Sequence, residues 1–91
     1  MNFGQAIELL KQGKLVARKG WNGKGMYLLL VSGEAIRYSI NQTYGDGIVD
    51  SAGLPVLNAI YMKTADDKLV PWLASQTDML SEDWEELTEA R

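Results

Sequence analysis

Residues 26–31 read MYLLLV, six residues with no charge and no turn former, and this run predicts a strand that is apolar on both faces. A chain of 91 residues is one domain, and with one amphipathic helix it covers a single face of its sheet. The second face is therefore expected to meet another subunit, because an apolar strand face left in water is an association site.

Outward from that strand, the opening MNFGQAIELLKQG predicts a helix. Asn2 offers the N-cap, Gln5 three residues later completes a capping box, Phe3, Ala6, Ile7 and Leu10 share one face, and Gly13 ends it. Residues 14–18 turn β-like. Downstream, the pattern predicts a turn at Ser32 and Gly33 and a short strand over 35–39. A loop follows over 41–53, with short pairing around Ile48 and Val49. A strand over 56–64, a turn over 65–68 and a closing strand at Leu69 and Val70, halted by Pro71, complete a hairpin. Next comes a short helix, with Ser75 or Thr77 as N-cap and Asp78 at the positive end of its dipole. Trp84 is expected to pack on the sheet, and the acidic residues of 82–89 read as a solvated C-terminal segment. The fold class expected is α+β: an N-terminal helix packed on a small, mainly antiparallel β-sheet, with a short helix near the C-terminus, in one domain over 1–91 that assembles as a homo-oligomer.

Cys and His are both absent. Their absence excludes disulfides, thiolate nucleophiles, the common catalytic triads and the usual transition-metal ligands, and no cofactor or metal is expected. The chemistry left belongs to carboxylates, Lys, Ser, Thr and Tyr. No apolar run is long enough to span a bilayer and the N-terminus lacks the pattern of a secretory signal, so a cytosolic protein without membrane partners is expected. Net charge is −3, unevenly spread: residues 1–45 carry six bases against two acids, and residues 46–91 three bases against ten acids. The two halves either attract one another or leave the basic stretch 11–24 to attract an anionic ligand. An acidic chain without an extended basic stripe is not expected to bind duplex nucleic acid.

Two segments set an aromatic beside a dense polar set. The turn 17–26, ARKGWNGKGM, holds Gly20, Gly23 and Gly25, the bases Arg18, Lys19 and Lys24, and Trp21 near its apex. Glycines let backbone N–H groups approach an anion, the bases supply charge, and an indole offers a flat face to a nucleobase. The second segment, PWLASQTDML over 71–80, follows Trp72 with Ser75, Gln76, Thr77 and Asp78. It reads either as a capped turn with Trp72 in the core, or as a wall whose hydroxyls, amide and carboxylate suit ribose and base edges. Tyr44 and Asp46 are further candidates from the loop.

Taken in order and at this separation, ARKGWNGKGM and KTADDKLVPWLASQTDMLSEDWEEL resemble a family of small phage and prophage proteins that includes the Thoeris anti-defence two proteins. The resemblance covers almost the whole chain. It implies an anti-defence sponge in the bacterial host cytoplasm that binds cyclic nucleotide signals without cleaving them, notably glycocyclic ADP-ribose isomers made by TIR-domain proteins. Some relatives also take up cyclic oligonucleotides of the type made by cGAS-like enzymes, in a separate pocket. It further implies a homotetramer, a dimer of dimers, with ligand pockets between protomers. Carried over, Trp21 would stack on a base, Asn22 and the Gly23 backbone would reach polar edges, Lys24 would face phosphate and Met26 would pack near the purine. Trp72, Ala74, Ser75, Gln76, Thr77 and Asp78 would form the other wall. Relatives often have Gly where Asp67 stands, a position that would take a left-handed turn. Two rivals remain: a phosphodiesterase-type enzyme using Asp78 and Asp46 as general base or Mg²⁺ ligands, and a virion or regulatory module whose acidic half engages a protein.

Overall fold

The computed structural model describes residues 1–89. The first helix, α1 (Phe3–Lys11), starts where the sequence places it. Asn2 Oδ1 accepts the Gln5 N–H at 2.9 Å and the Asn2 N–H donates back to Gln5 Oε1 at 2.9 Å, and Gly13 turns the chain at φ +82°. Five strands follow: β1 (Leu15–Arg18), β2 (Tyr27–Val31), β3 (Ala59–Lys63), β4 (Leu69–Pro71) and β5 (Trp84–Leu87). They form one antiparallel sheet in the order β4-β3-β2-β1-β5, so the two latest strands lie at opposite edges. The fold is α+β, as the sequence predicts.

Register explains the core. Val16 pairs with Leu28 and Leu28 with Met62, which places these three side chains in a row on one face. Ala6 and Leu10 of α1 and Trp84 of β5 close over that row, and α1 packs on β1, β2 and β5. The alternate residues of β2, namely Tyr27, Leu29 and Val31, point to the other face and are half-buried, with no helix packed against them to the same extent. Both faces of β2 are apolar, as read from MYLLLV.

Three expectations need correction. Residues 35–39 are not a strand: they lie within α2 (Gly33–Tyr44), which also absorbs the start of the expected loop. The Ser32 hydroxyl caps the Ala35 N–H at 3.1 Å, Glu34 stands in the first turn and pairs with Arg37 at 2.8 Å, and Gly45 stops the helix at φ +74°. Those local bonds outweigh the β-propensity of Ile36, Tyr38 and Ile40. Ile48 and Val49 do not pair as strands; Val49 is buried instead. Nor are residues 82–89 simply solvated. Trp84–Leu87 form β5, with Arg18 opposite Trp84 and Leu15 opposite Leu87.

Two smaller differences concern the hairpin. β3 begins at Ala59 rather than at 56, and Pro71 is the last residue of β4, where an edge strand tolerates its missing N–H. The turn between β3 and β4 carries Asp67 at φ +63°, the left-handed geometry expected there.

From the end of β2, α2 and residues 46–58 build an arm. Arg37 reaches Asp50 at 2.9 Å, Asn41 Nδ2 donates to Asp50 at 3.0 Å, and the Gly33 N–H donates to Asn58 Oδ1 at 2.9 Å. The arm makes the molecule long, 44 Å against 26 and 24 Å, with a radius of gyration of 15.0 Å where a compact chain of this length has about 12 Å.

Candidate functional site

The candidate site lies at the end of the sheet opposite the arm, where β1 passes into β2. Arg18 ends β1, Lys19–Trp21 form one 3₁₀ turn, and Asn22 and Gly23 then take left-handed conformations at φ 57° and 66°. Asn tolerates that region better than most L residues, and Gly takes it without steric cost. Gly25, at φ 76°, accepts a hydrogen bond from the Lys63 ammonium on its carbonyl at 3.0 Å. The turn is thus pinned at its far end by β3. At its apex Asn22, Gly23 and Lys24 are exposed, and the Lys19 and Lys24 side chains have no ion pair among the described residues.

The second segment crosses the face that α1 occupies. Beyond β4 the Trp72 N–H donates to the Ile60 carbonyl at 3.0 Å, and the chain then passes to α3 (Gln76–Leu80) on the way to β5 at the far edge. Ser75 is the N-cap: its hydroxyl accepts the Asp78 N–H at 3.1 Å, while the Ser75 N–H and hydroxyl donate to Asp78 Oδ2 at 3.1 and 2.8 Å. Ser75, Gln76 and Thr77 are exposed, and Ala74 is half-buried.

One residue joins the two segments. Trp84, 1% exposed, receives Trp21 edge-on at 5.4 Å and 79°, and Trp72 edge-on at 6.1 Å and 83°. Phe3 lies against both Trp72 and Trp84, and the Trp84 indole N–H donates to the Asp78 carbonyl at 3.0 Å. Trp21, Trp72 and Met26 are accordingly half-buried, each packed against the core. Trp21 does not stand free at an exposed apex; it packs against Trp84.

Charge is arranged just as closely. Arg18 Nε donates to Asp83 Oδ1 at 2.9 Å and Nη1 to Asp78 Oδ1 at 2.9 Å, while Asp83 Oδ2 accepts the Gly20 N–H at 2.8 Å. Burial would raise the Asp78 carboxyl, but hydrogen bonds from the Ser75 hydroxyl and backbone, then from Arg18, hold it below the usual carboxylate range. The Asp83 carboxyl is lowered chiefly by its bond from Arg18, and further by the Gly20 N–H. The positive charge of Arg18 is therefore taken up inside the fold rather than offered to a ligand. Lys19 and Lys24 remain to face an anion.

The structure thus brings Trp21, Trp72 and the Asp78 carbonyl onto Trp84, with Met26 packed on the same core; Ala74, Ser75, Gln76 and Thr77 lie along the chain between Trp72 and Asp78, and Asn22, Gly23 and Lys24 on the turn that carries Trp21. Tyr44 and Asp46 do not join them; they sit in the arm, beyond the other end of β2. Sequence reasoning missed Arg18, Asp83 and Trp84 as organisers of the site. The available signal was the charge asymmetry, which puts a basic β1 beside an acidic β5. Neither segment encloses a cavity within the single chain among the described residues.

The family model of the Thoeris anti-defense 2-like domain matches residues 1–87. Thoeris anti-defense 2 of Bacillus phage SP01 is 48% identical over 86 residues, covering 93% of this chain and 92% of that protein. A match that includes α1, every strand and both candidate segments is a match of the whole fold, and the chain belongs to the Thoeris anti-defense 2-like family.

Proposed function

We propose that this protein is a phage anti-defence sponge: it binds a cyclic nucleotide immune signal of the glycocyclic ADP-ribose kind and holds it without cleaving it. The observation that carries the reading is the pair Trp21 and Trp72, both set edge-on against Trp84 and each followed in sequence by a polar row. In this reading Trp21 stacks on a base, Asn22 and the Gly23 backbone meet its polar edge, and Lys24 faces phosphate. Met26 packs near the purine. Trp72, Ala74, Ser75, Gln76, Thr77 and Asp78 form the opposite wall.

A sponge must outcompete an effector, which asks for a dissociation constant near nanomolar, about −12 kcal/mol. Stacking supplies only about 1–3 kcal/mol per aromatic. The remainder falls to phosphate contacts and to a pocket shaped before the ligand arrives. In this reading a second copy completes the pocket; the half-buried apolar second face of β2 and the exposed Tyr38, Tyr44 and Leu57 of the arm support assembly as a homotetramer. A cyclic oligonucleotide would occupy a separate pocket of the same assembly.

Sequestration is favoured over hydrolysis by the state of Asp78. A general base works best with a pKa near the operating pH, whereas this carboxyl is paired with Arg18, bonded to Ser75 and lowered. Trp21→Ala is the test. Calorimetry against glycocyclic ADP-ribose is expected to show a loss of roughly tenfold or more, in line with about 1–3 kcal/mol of stacking, with the oligomer intact. Native affinity in that variant would remove the stacking role.

A further inference from the structure

We infer that Arg18 is the positioning residue of this site: its one guanidinium ties the turn that carries Trp21 to the segment that carries Ser75–Asp78, and so sets how the two walls face a ligand. The inference rests on the binding reading above. Its geometry stands by itself.

Each of the two carboxylates on Arg18 also accepts a backbone N–H of one wall. Asp83 Oδ1 takes Arg18 Nε at 2.9 Å, and Asp83 Oδ2 takes the Gly20 N–H of the turn at 2.8 Å, with Arg18 Nη2 at 3.5 Å. Asp78 Oδ1 takes Arg18 Nη1 at 2.9 Å, and Asp78 Oδ2 takes the Ser75 N–H at 3.1 Å. The bridge runs backbone, carboxylate, guanidinium, carboxylate, backbone. Arg18 and Asp78 side chains are only 15% and 14% exposed, so water competes weakly for these bonds. A planar fork can serve two carboxylates at once in fixed directions, and a lysine ammonium cannot reproduce that.

Gly20 supplies an independent sign of the clamp. Its φ lies outside the left-handed region, so its backbone alone does not demand glycine. A Cβ there would lie 2.9 Å from Asp83 Oδ2 and 3.3 Å from Arg18 Nη2. The missing side chain makes room for the clamp itself. Gly20→Ala therefore disturbs the bridge without removing a charge.

Arg18→Lys and Gly20→Ala are compared with the unaltered protein by hydrogen exchange and by calorimetry with glycocyclic ADP-ribose. The backbone N–H at position 20 and the Trp84 indole N–H, which is bonded to the Asp78 carbonyl, report the two walls, and the β2–β3 amides report the sheet. Both wall signals are expected to exchange about tenfold faster or more, with affinity weaker by about the same factor and the β2–β3 amides unchanged, because only preorganisation is lost. Unchanged wall exchange in both variants overturns the inference. So does acceleration spread equally over β2 and β3, which assigns Arg18 to stability alone. Should Arg18→Lys fail to fold, Gly20→Ala decides. If the unaltered protein binds no glycocyclic ADP-ribose, the binding reading falls, and the exchange data still decide whether the clamp couples the walls.

Discussion

The two ends of β2 are held in different ways. At the turn end, Arg18 reaches Asp78 and Asp83, 60 and 65 positions away, and Lys63 reaches Gly25 across 38 positions. At the arm end, Glu34, Arg37, Asn41 and Asp50 bond one another across 3 to 13 positions. Geometry of the first kind exists only when the whole sheet is formed, so the site inherits the rigidity of the core. The arm closes on itself and leaves Tyr38, Tyr44, Ile48, Leu54 and Leu57 in the open. In the function proposed above, the first end holds the small molecule and the arm meets another copy of the chain.

The sharpest way to break this contrast is Trp84→Ala. It removes the hub that both Trp21 and Trp72 lean on, and large-to-small changes at such buried aromatics cost about 3–5 kcal/mol, a large part of a small domain's stability. The urea midpoint is expected to fall steeply; a loss under about 1 kcal/mol would mean that the cluster is not what joins the segments. Gly33→Ala attacks the arm instead. A Cβ there would stand 1.8 Å from the Val56 carbonyl oxygen, and overpacking of this kind costs about 1–3 kcal/mol or more. Limited proteolysis is expected to open residues 34–58 while the sheet core stays resistant, and a digest like that of the unaltered protein would contradict an autonomous arm.

The smallest effect is the acid limb of stability. Asp78 and Asp83 are held below the ordinary carboxylate value in the folded protein, so the unfolded chain takes up their protons first as pH falls. Their contribution is complete above the unfolded pKa of about 4 and is lost as pH drops through the folded values. Asp83→Asn is expected to flatten the fall in urea midpoint below about pH 4. An unchanged acid limb would say that its bonds to Arg18 and Gly20 do not hold in solution.

Local chemistry was readable in the sequence, and contacts between distant segments were not. The Asn2–Gln5 capping box lies within four residues, so spacing alone locates that helix start, whereas Ser75 and Thr77 both offered a cap for the short helix and the bonds between Ser75 and Asp78 decide for Ser75. MYLLLV announces its strand because both faces are apolar. α2 was hidden because Ile36, Tyr38 and Ile40 alternate like a strand, while the deciding signals, Ser32 as cap and Gly45 as stop, flank the run. β5 was hidden because its buried residues, Trp84 and Leu87, stand three apart on opposite faces with Glu85 and Glu86 between them. The clamp needed the sheet order itself, since only the pairing of β1 with β5 brings Arg18 to Asp83.

Recovery of the ligand tests most directly whether the turn end binds a signal and leaves it whole. Purified protein is loaded with glycocyclic ADP-ribose, washed, denatured by heat, and the released nucleotide is run on chromatography beside an untreated standard. Unchanged nucleotide, retained by the unaltered protein and not by Trp21→Ala, is the predicted result. A cleaved product, or no nucleotide retained at all, would contradict it.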